Sequence, residues 1–92
     1  MKIKLNTVTD VNCFVNASIK YYEGYIDVRQ GRQIIDGKSI LGIYSLNLLK
    51  PLEVNITTTN KNTERDFYNF ISKWKVNEED EDGVGMEKTE EE

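Results

Sequence analysis

Gly37-Lys38-Ser39-Ile40-Leu41-Gly42-Ile43-Tyr44-Ser45-Leu46-Asn47-Leu48-Leu49-Lys50-Pro51-Leu52-Glu53-Val54-Asn55-Ile56 is the stretch on which the fold turns. Ser39 stands where a helix N-cap belongs, because its hydroxyl can accept from a free amide of the first turn. Ile40, Ile43, Tyr44 and Leu48 then recur at helical spacing. Lys50-Pro51 stops the helix, since a residue before proline is pushed out of the α region. Leu52 to Ile56 alternates apolar with polar and runs into Thr57-Thr58-Thr59, a strand with one buried face.

Outward from that stretch the period switches cleanly. Tyr25 to Arg29 alternates, Gln30-Gly31-Arg32 turns, and Gln33-Ile34-Ile35-Asp36 returns as the second arm of a hairpin. Lys2 to Asn6 alternates as a first strand. From Val11 the spacing becomes three to four, through Val15, Ile19 and Tyr22. This predicts an amphipathic helix opened by Thr9 or Asp10 and closed near Gly24. Beyond Thr59, the stretch Asn60 to Asn62 is a loop, and Asn62 or Thr63 caps a last helix. Its stripe of Phe67, Phe70, Ile71 and Trp74 is core packing. The order is β-α-β-β-α-β-α, an α+β open-faced sandwich with helices on one side of antiparallel strands.

Composition narrows the function. The 92 residues suit one domain, read as 1–76, with an acidic tail over 77–92. Residues 1–76 hold seven acids and eleven Lys/Arg, a net +4; residues 77–92 hold nine acids and one Lys, a net −8. The tail has too little apolar surface to offset its ordering entropy and is expected to be disordered. No His is present, which removes imidazole acid–base chemistry and ordinary His metal sites. Cys13 is the only cysteine, so no internal disulfide or thiolate cluster forms. A small buried hydrophobe is the better reading of it. No apolar run reaches membrane-spanning length, and the alternating start lacks the core of a signal peptide. The expectation is a cytoplasmic, non-enzymatic protein with no metal, no cofactor, no nucleic acid partner and no membrane insertion. Arg29, Arg32 and Lys38 read as a solvated charged face.

Residues 37–46 resemble the regulatory-serine segment of HPr, the phosphocarrier family of the bacterial sugar phosphotransferase system, where typical members read Lys-Ser-Ile-Met-Gly-Val-Met-Ser-Leu. The register continues without a gap through Lys50-Pro51-Leu52-Glu53-Val54, where the family has Lys-Gly-Ala-Glu-Ile. The element order is also that of HPr, so the resemblance covers residues 2–74. It implies a four-stranded antiparallel sheet in the order 1-4-2-3, covered by three helices on one face.

The chain departs from the family at its chemistry. HPr carries phosphate on a His in a His-Ala-Arg-Pro loop after the first strand. Here that region is Thr7-Val8-Thr9-Asp10-Val11, a degenerate phosphocarrier loop without His, Arg or Pro. Asp10 is able to form an acyl phosphate, but the Arg that neutralises it in the family is missing. What the resemblance implies is a divergent, Crh-like member: a non-phosphocarrier regulatory or protein-binding protein, with Ser39 matching the serine modified by HPr kinase/phosphorylase. The alternatives are an HPr-fold interaction module with Ser39 only a cap, and an atypical phosphocarrier with a non-His acceptor. By the same resemblance, Lys38, Ile40, Leu41 and Tyr44 form the partner-binding segment for the kinase, a permease domain or a transcription regulator. Leu41 and Tyr44 match the two Met positions and are expected at the surface, whereas Ile40 reads as core.

Overall fold

A computed structural model describes residues 1–76. The elements are β1 (Lys2–Ile3), α1 (Val8–Lys20), β2 (Tyr25–Gln30), β3 (Gln33–Asp36), α2 (Ile40–Tyr44), β4 (Leu52–Thr57) and α3 (Lys61–Ile71), with a 3₁₀ turn over Ser72–Trp74. The sheet order is β1-β4-β2-β3 and every pairing is antiparallel. This is the α+β architecture with an open sheet that the sequence predicts. The acidic tail expected over 77–92 lies outside the described residues.

Alternation in the strands sorts the two sheet faces. Ile26 and Val28 of β2 and Leu52, Val54 and Ile56 of β4 are buried beneath the helices. Glu53, Asn55 and Thr57 of β4, with Tyr25, Asp27 and Arg29 of β2, take the opposite face, since successive side chains point to opposite sides. Phe14, Phe67, Ile71 and Ile43 close the core from the helical side, all at 0% exposure. Phe14 sets its ring 6.5 Å from Phe67 and 6.3 Å from Trp74, a cluster that joins α1 to α3. Gly31, at φ 59°, takes the first central position of the two-residue hairpin turn, which needs positive φ in a II′ geometry.

Several boundaries differ from the sequence expectation, each for a local reason. β1 is two residues long, not five. Its free side is taken by the stretch after α3, where Lys4 donates to the Trp74 carbonyl and Val76 to the Lys2 carbonyl, both at 3.0 Å. α1 begins at Val8 with Thr7 as its cap, and ends at Lys20, where the Tyr21 amide bonds the Ala17 carbonyl. Gly24 closes no helix; at φ 113° it admits the chain to β2 where a Cβ would lie 2.5 Å from the Thr57 carbonyl oxygen. With Phe14 in the buried face, the helix centres its stripe on Val11, Phe14, Val15 and Ser18. Ile19 is rotated out and is 56% exposed. Cys13 is exposed rather than buried, for the same reason of rotation. α3 starts earlier than expected, because Asn60 is its cap and accepts from Asn62 at 2.9 Å and Thr63 at 3.2 Å.

Candidate functional site

Two short runs meet at one end of the helical layer: the entry to α1 and the segment from α2 to Pro51. At the α1 entry, Thr7 Oγ1 accepts from the Asp10 amide at 3.0 Å, and Asp10 Oδ2 accepts from the Asn6 amide at 3.1 Å. Thr7 thus satisfies one amide of the first turn, while Asp10 reaches back to the amide of the residue before the cap, a Thr-x-x-Asp variant of the capping box. The region expected to be a degenerate phosphocarrier loop is therefore the cap and first turn of α1. Thr7 and Asp10 are committed to backbone amides, while Val8 is 65% exposed and Thr9 faces solvent.

The second run is built on Ser39. Its side chain accepts from the Gly42 amide at 3.1 Å, and its backbone amide bonds the Asp36 carbonyl at 3.0 Å. α2 has five residues and is pinned by Ile43, which is fully buried. Gly42 permits the close seating of α2 on the sheet, since a Cβ there would lie 2.5 Å from Ile35 Cγ2. Past the helix, Gln30 reaches across from the hairpin; its side-chain amide donates to the Asn47 carbonyl and its side-chain carbonyl accepts from the Asn47 amide, both at 2.8 Å. That pair of hydrogen bonds holds the loop 45–51 in one place.

Leu5, Val8, Val11, Tyr44, Leu48 and Leu49 line a shallow cleft of about 230 Å³ between the two runs. Leu49 and Leu41 are about four-fifths exposed and Tyr44 is 42% exposed. Val8, Tyr44 and Leu49, exposed apolar side chains lining one cleft, mark an interaction surface more often than chance exposure does, and Leu41 stands one helical turn before Tyr44. Ile40, expected in the core, is 38% exposed, because the five-residue helix sends only Ile43 inward. Leu48 lies beyond the end of α2, so the helix is shorter than its spacing suggests. Lys38 is half-buried and its Nζ donates to the Gly24 carbonyl at 3.2 Å, which turns it from the cleft. Arg29, Arg32 and Lys38 form no common patch: β3 separates Arg32 from Lys38, while Arg29 lines a different groove with Lys2 and Lys50. The sequence alone does not single out Val8, Leu48 and Leu49 as a group. The signal lies in Leu48-Leu49 directly before Lys50-Pro51, two adjacent apolar residues in a loop, of which Leu49 stays exposed.

Among the described residues no three acidic or cysteine side chains gather as a metal site, and no helix is long and apolar enough to cross a membrane. Comparison with protein-family models, with curated proteins and with solved structures yields no match.

Proposed function

We propose that this chain is an HPr-like, Crh-like protein that acts in the cytoplasm by binding other proteins and does not relay phosphate. The observation that carries the reading is the apolar cleft between the start of α1 and the end of α2, beside a loop with no phosphate-accepting imidazole. In the resembled family this region holds both the carrier His and the docking face. The sheet order β1-β4-β2-β3 and the capping role of Ser39 support the same reading. Leu41, Tyr44, Val8 and Leu49 are the docking side chains. Their aromatic and aliphatic tips gain by leaving water against a complementary surface. Ile40 borders them, and Lys38 contributes its backbone position rather than its charge.

Ser39 is the regulatory acceptor in this reading, taking the γ-phosphoryl of ATP from an HPr kinase. The added dianion would keep the bond from the Gly42 amide but would stand in the same turn as Asp36. Its effect is therefore to change the charge beside Leu41 and Tyr44, not to lock a helix. A second reading, an interaction module without phosphorylation, is favoured by the role of the Ser39 hydroxyl as the cap acceptor for the Gly42 amide. Two incubations, each read by intact-mass spectrometry, separate the readings. Label from enzyme I and phosphoenolpyruvate refutes the non-carrier reading. Label from HPr kinase and ATP, absent in Ser39→Ala, supports regulation; its absence leaves the interaction module.

A further inference from the structure

The face of the sheet turned from the helices carries a charge pattern that the cleft does not use. Across one register row stand Lys2, Glu53, Arg29 and Ile34; across another, nearer the far end, Asp27 lies directly opposite Asp36. The first end is basic. A groove of about 450 Å³ there is lined by Lys2, Arg29, Lys50 and Glu53 together with Gln30, Gly31 and Pro51. Glu53 is already neutralised by the terminal ammonium of Met1 at 2.8 Å. Among the described residues neither Arg29 nor Lys50 has an ion-pair partner.

The chain leaves the described fold beside this groove. The Val76 amide bonds the Lys2 carbonyl, so the described chain ends on the outer edge of β1, level with the row of Lys2, Glu53 and Arg29. Asn77 leads directly into five consecutive acids, Glu78-Glu79-Asp80-Glu81-Asp82. Arg29 lies across β1 and β4 from that edge, three strand spacings or roughly 14 Å. Five extended residues cover roughly 17 Å. The acids therefore reach Arg29 and Lys50 without slack, at the high effective concentration that a short tether gives. The Asp27–Asp36 end repels the same segment and fixes which end it takes.

We propose that the acidic segment 78–82 docks on its own chain, in the basic groove formed by Arg29, Lys50 and Lys2 on the outer face of the sheet. There it competes with any acidic partner for that face. The site is on the opposite side of the sheet from the α1–α2 cleft, so the proposal stands or falls independently of the protein-binding reading above.

Paramagnetic broadening tests it in the full chain. Cys13→Ser and Glu79→Cys place a single nitroxide at position 79, and amide intensities are read for Gln30 and Gly31. Amides near the exit of the chain, Met1 to Lys4, serve as the tether control. The expected result is broadening of Gln30 and Gly31 at about 20 mM salt, relieved about twofold or more at about 500 mM, where the Debye length shrinks well below the groove's width. The double variant Arg29→Gln/Lys50→Gln should relieve it equally at low salt, with the tether control unchanged. Broadening indifferent to salt and to the double variant overturns the proposal, as does broadening along the exposed side of α1. So does broadening seen only when labelled chains are mixed with isotope-enriched unlabelled chains, because the groove would then be filled by a second copy.

Discussion

Ser39→Ala is the substitution that best separates the structural use of this serine from a regulatory one. The mutation removes the single acceptor for the Gly42 amide, a bond of 3.1 Å at a half-buried position. α2 has only five residues, so its first amides depend on that cap more than those of a long helix would. A lost Ser cap costs about 1 kcal/mol, within about 0.5–2. The upper half of that range is expected here, because α2 carries Ile43 into the core and any fraying at Gly42 loosens it. For a domain of this size the loss converts to a fall in Tm of roughly 4–8 °C per kcal/mol. Ser39→Asp keeps an acceptor oxygen at the same place and should fall by no more than a few tenths of a kcal/mol. Thermal unfolding by circular dichroism, with urea titration for the free energy, measures both. A Ser39→Ala protein as stable as the parent refutes the cap. A Ser39→Asp protein less stable than Ser39→Ala refutes the view that the fold tolerates negative charge beside Asp36.

Other parts of the molecule give outcomes of the same kind. Ser18 is fully buried and its hydroxyl has no hydrogen-bond partner among the described residues, so Ser18→Ala should raise stability by about 1 kcal/mol in urea titration, since an unpaired buried hydroxyl costs about 1–3. Phe14→Ala should cost about 3–5 kcal/mol and leave little folded protein at room temperature, read by loss of the near-ultraviolet signal, because Phe67 and Trp74 both pack on that ring. Leu41→Ser and Leu49→Ser should each leave stability within about 0.5 kcal/mol, as exposed positions do, and on the proposed docking reading Leu41→Ser should slow any labelling of Ser39 by HPr kinase. Tyr22 has its phenol pKa raised, first by burial and then by the charges of Asp66 and Tyr21. The folded state therefore holds that proton longer than the unfolded chain. Stability should be flat through neutral pH and decline as pH rises above the ordinary tyrosine value, and Tyr22→Phe should lessen the decline in pH-dependent urea titrations. Cys13, exposed on α1, should react with a thiol reagent at full stoichiometry in the native protein; protection until unfolding would refute its placement.

Much of this fold is written locally. Alternation over 25–29 and 52–56 and the Gly31 turn each depend on one residue's own backbone preferences or on a period of two; the stop expected at Lys50-Pro51 falls instead at Tyr44, where α2 ends. Ser39 is legible as a cap for the same reason: a hydroxyl three residues before a free amide needs no partner from elsewhere. The capping pair Thr7 and Asp10 is equally local, a Thr-x-x-Asp pattern, yet the apolar spacing that starts at Val11 draws the helix boundary too far along. Tertiary structure decides what periodicity leaves free. A stripe read at three-to-four spacing fixes a helix but not its rotation, and the seating of Phe14 against Phe67 and Trp74 turns Ile19 and Cys13 outward. The length of β1 is set by a distant part of the chain, where residues 74–76 take its open edge. The cleft of Val8, Tyr44, Leu48 and Leu49 joins residues some forty positions apart. No sequence window contains it, because it exists only where the start of α1 packs beside the end of α2 and the loop after it.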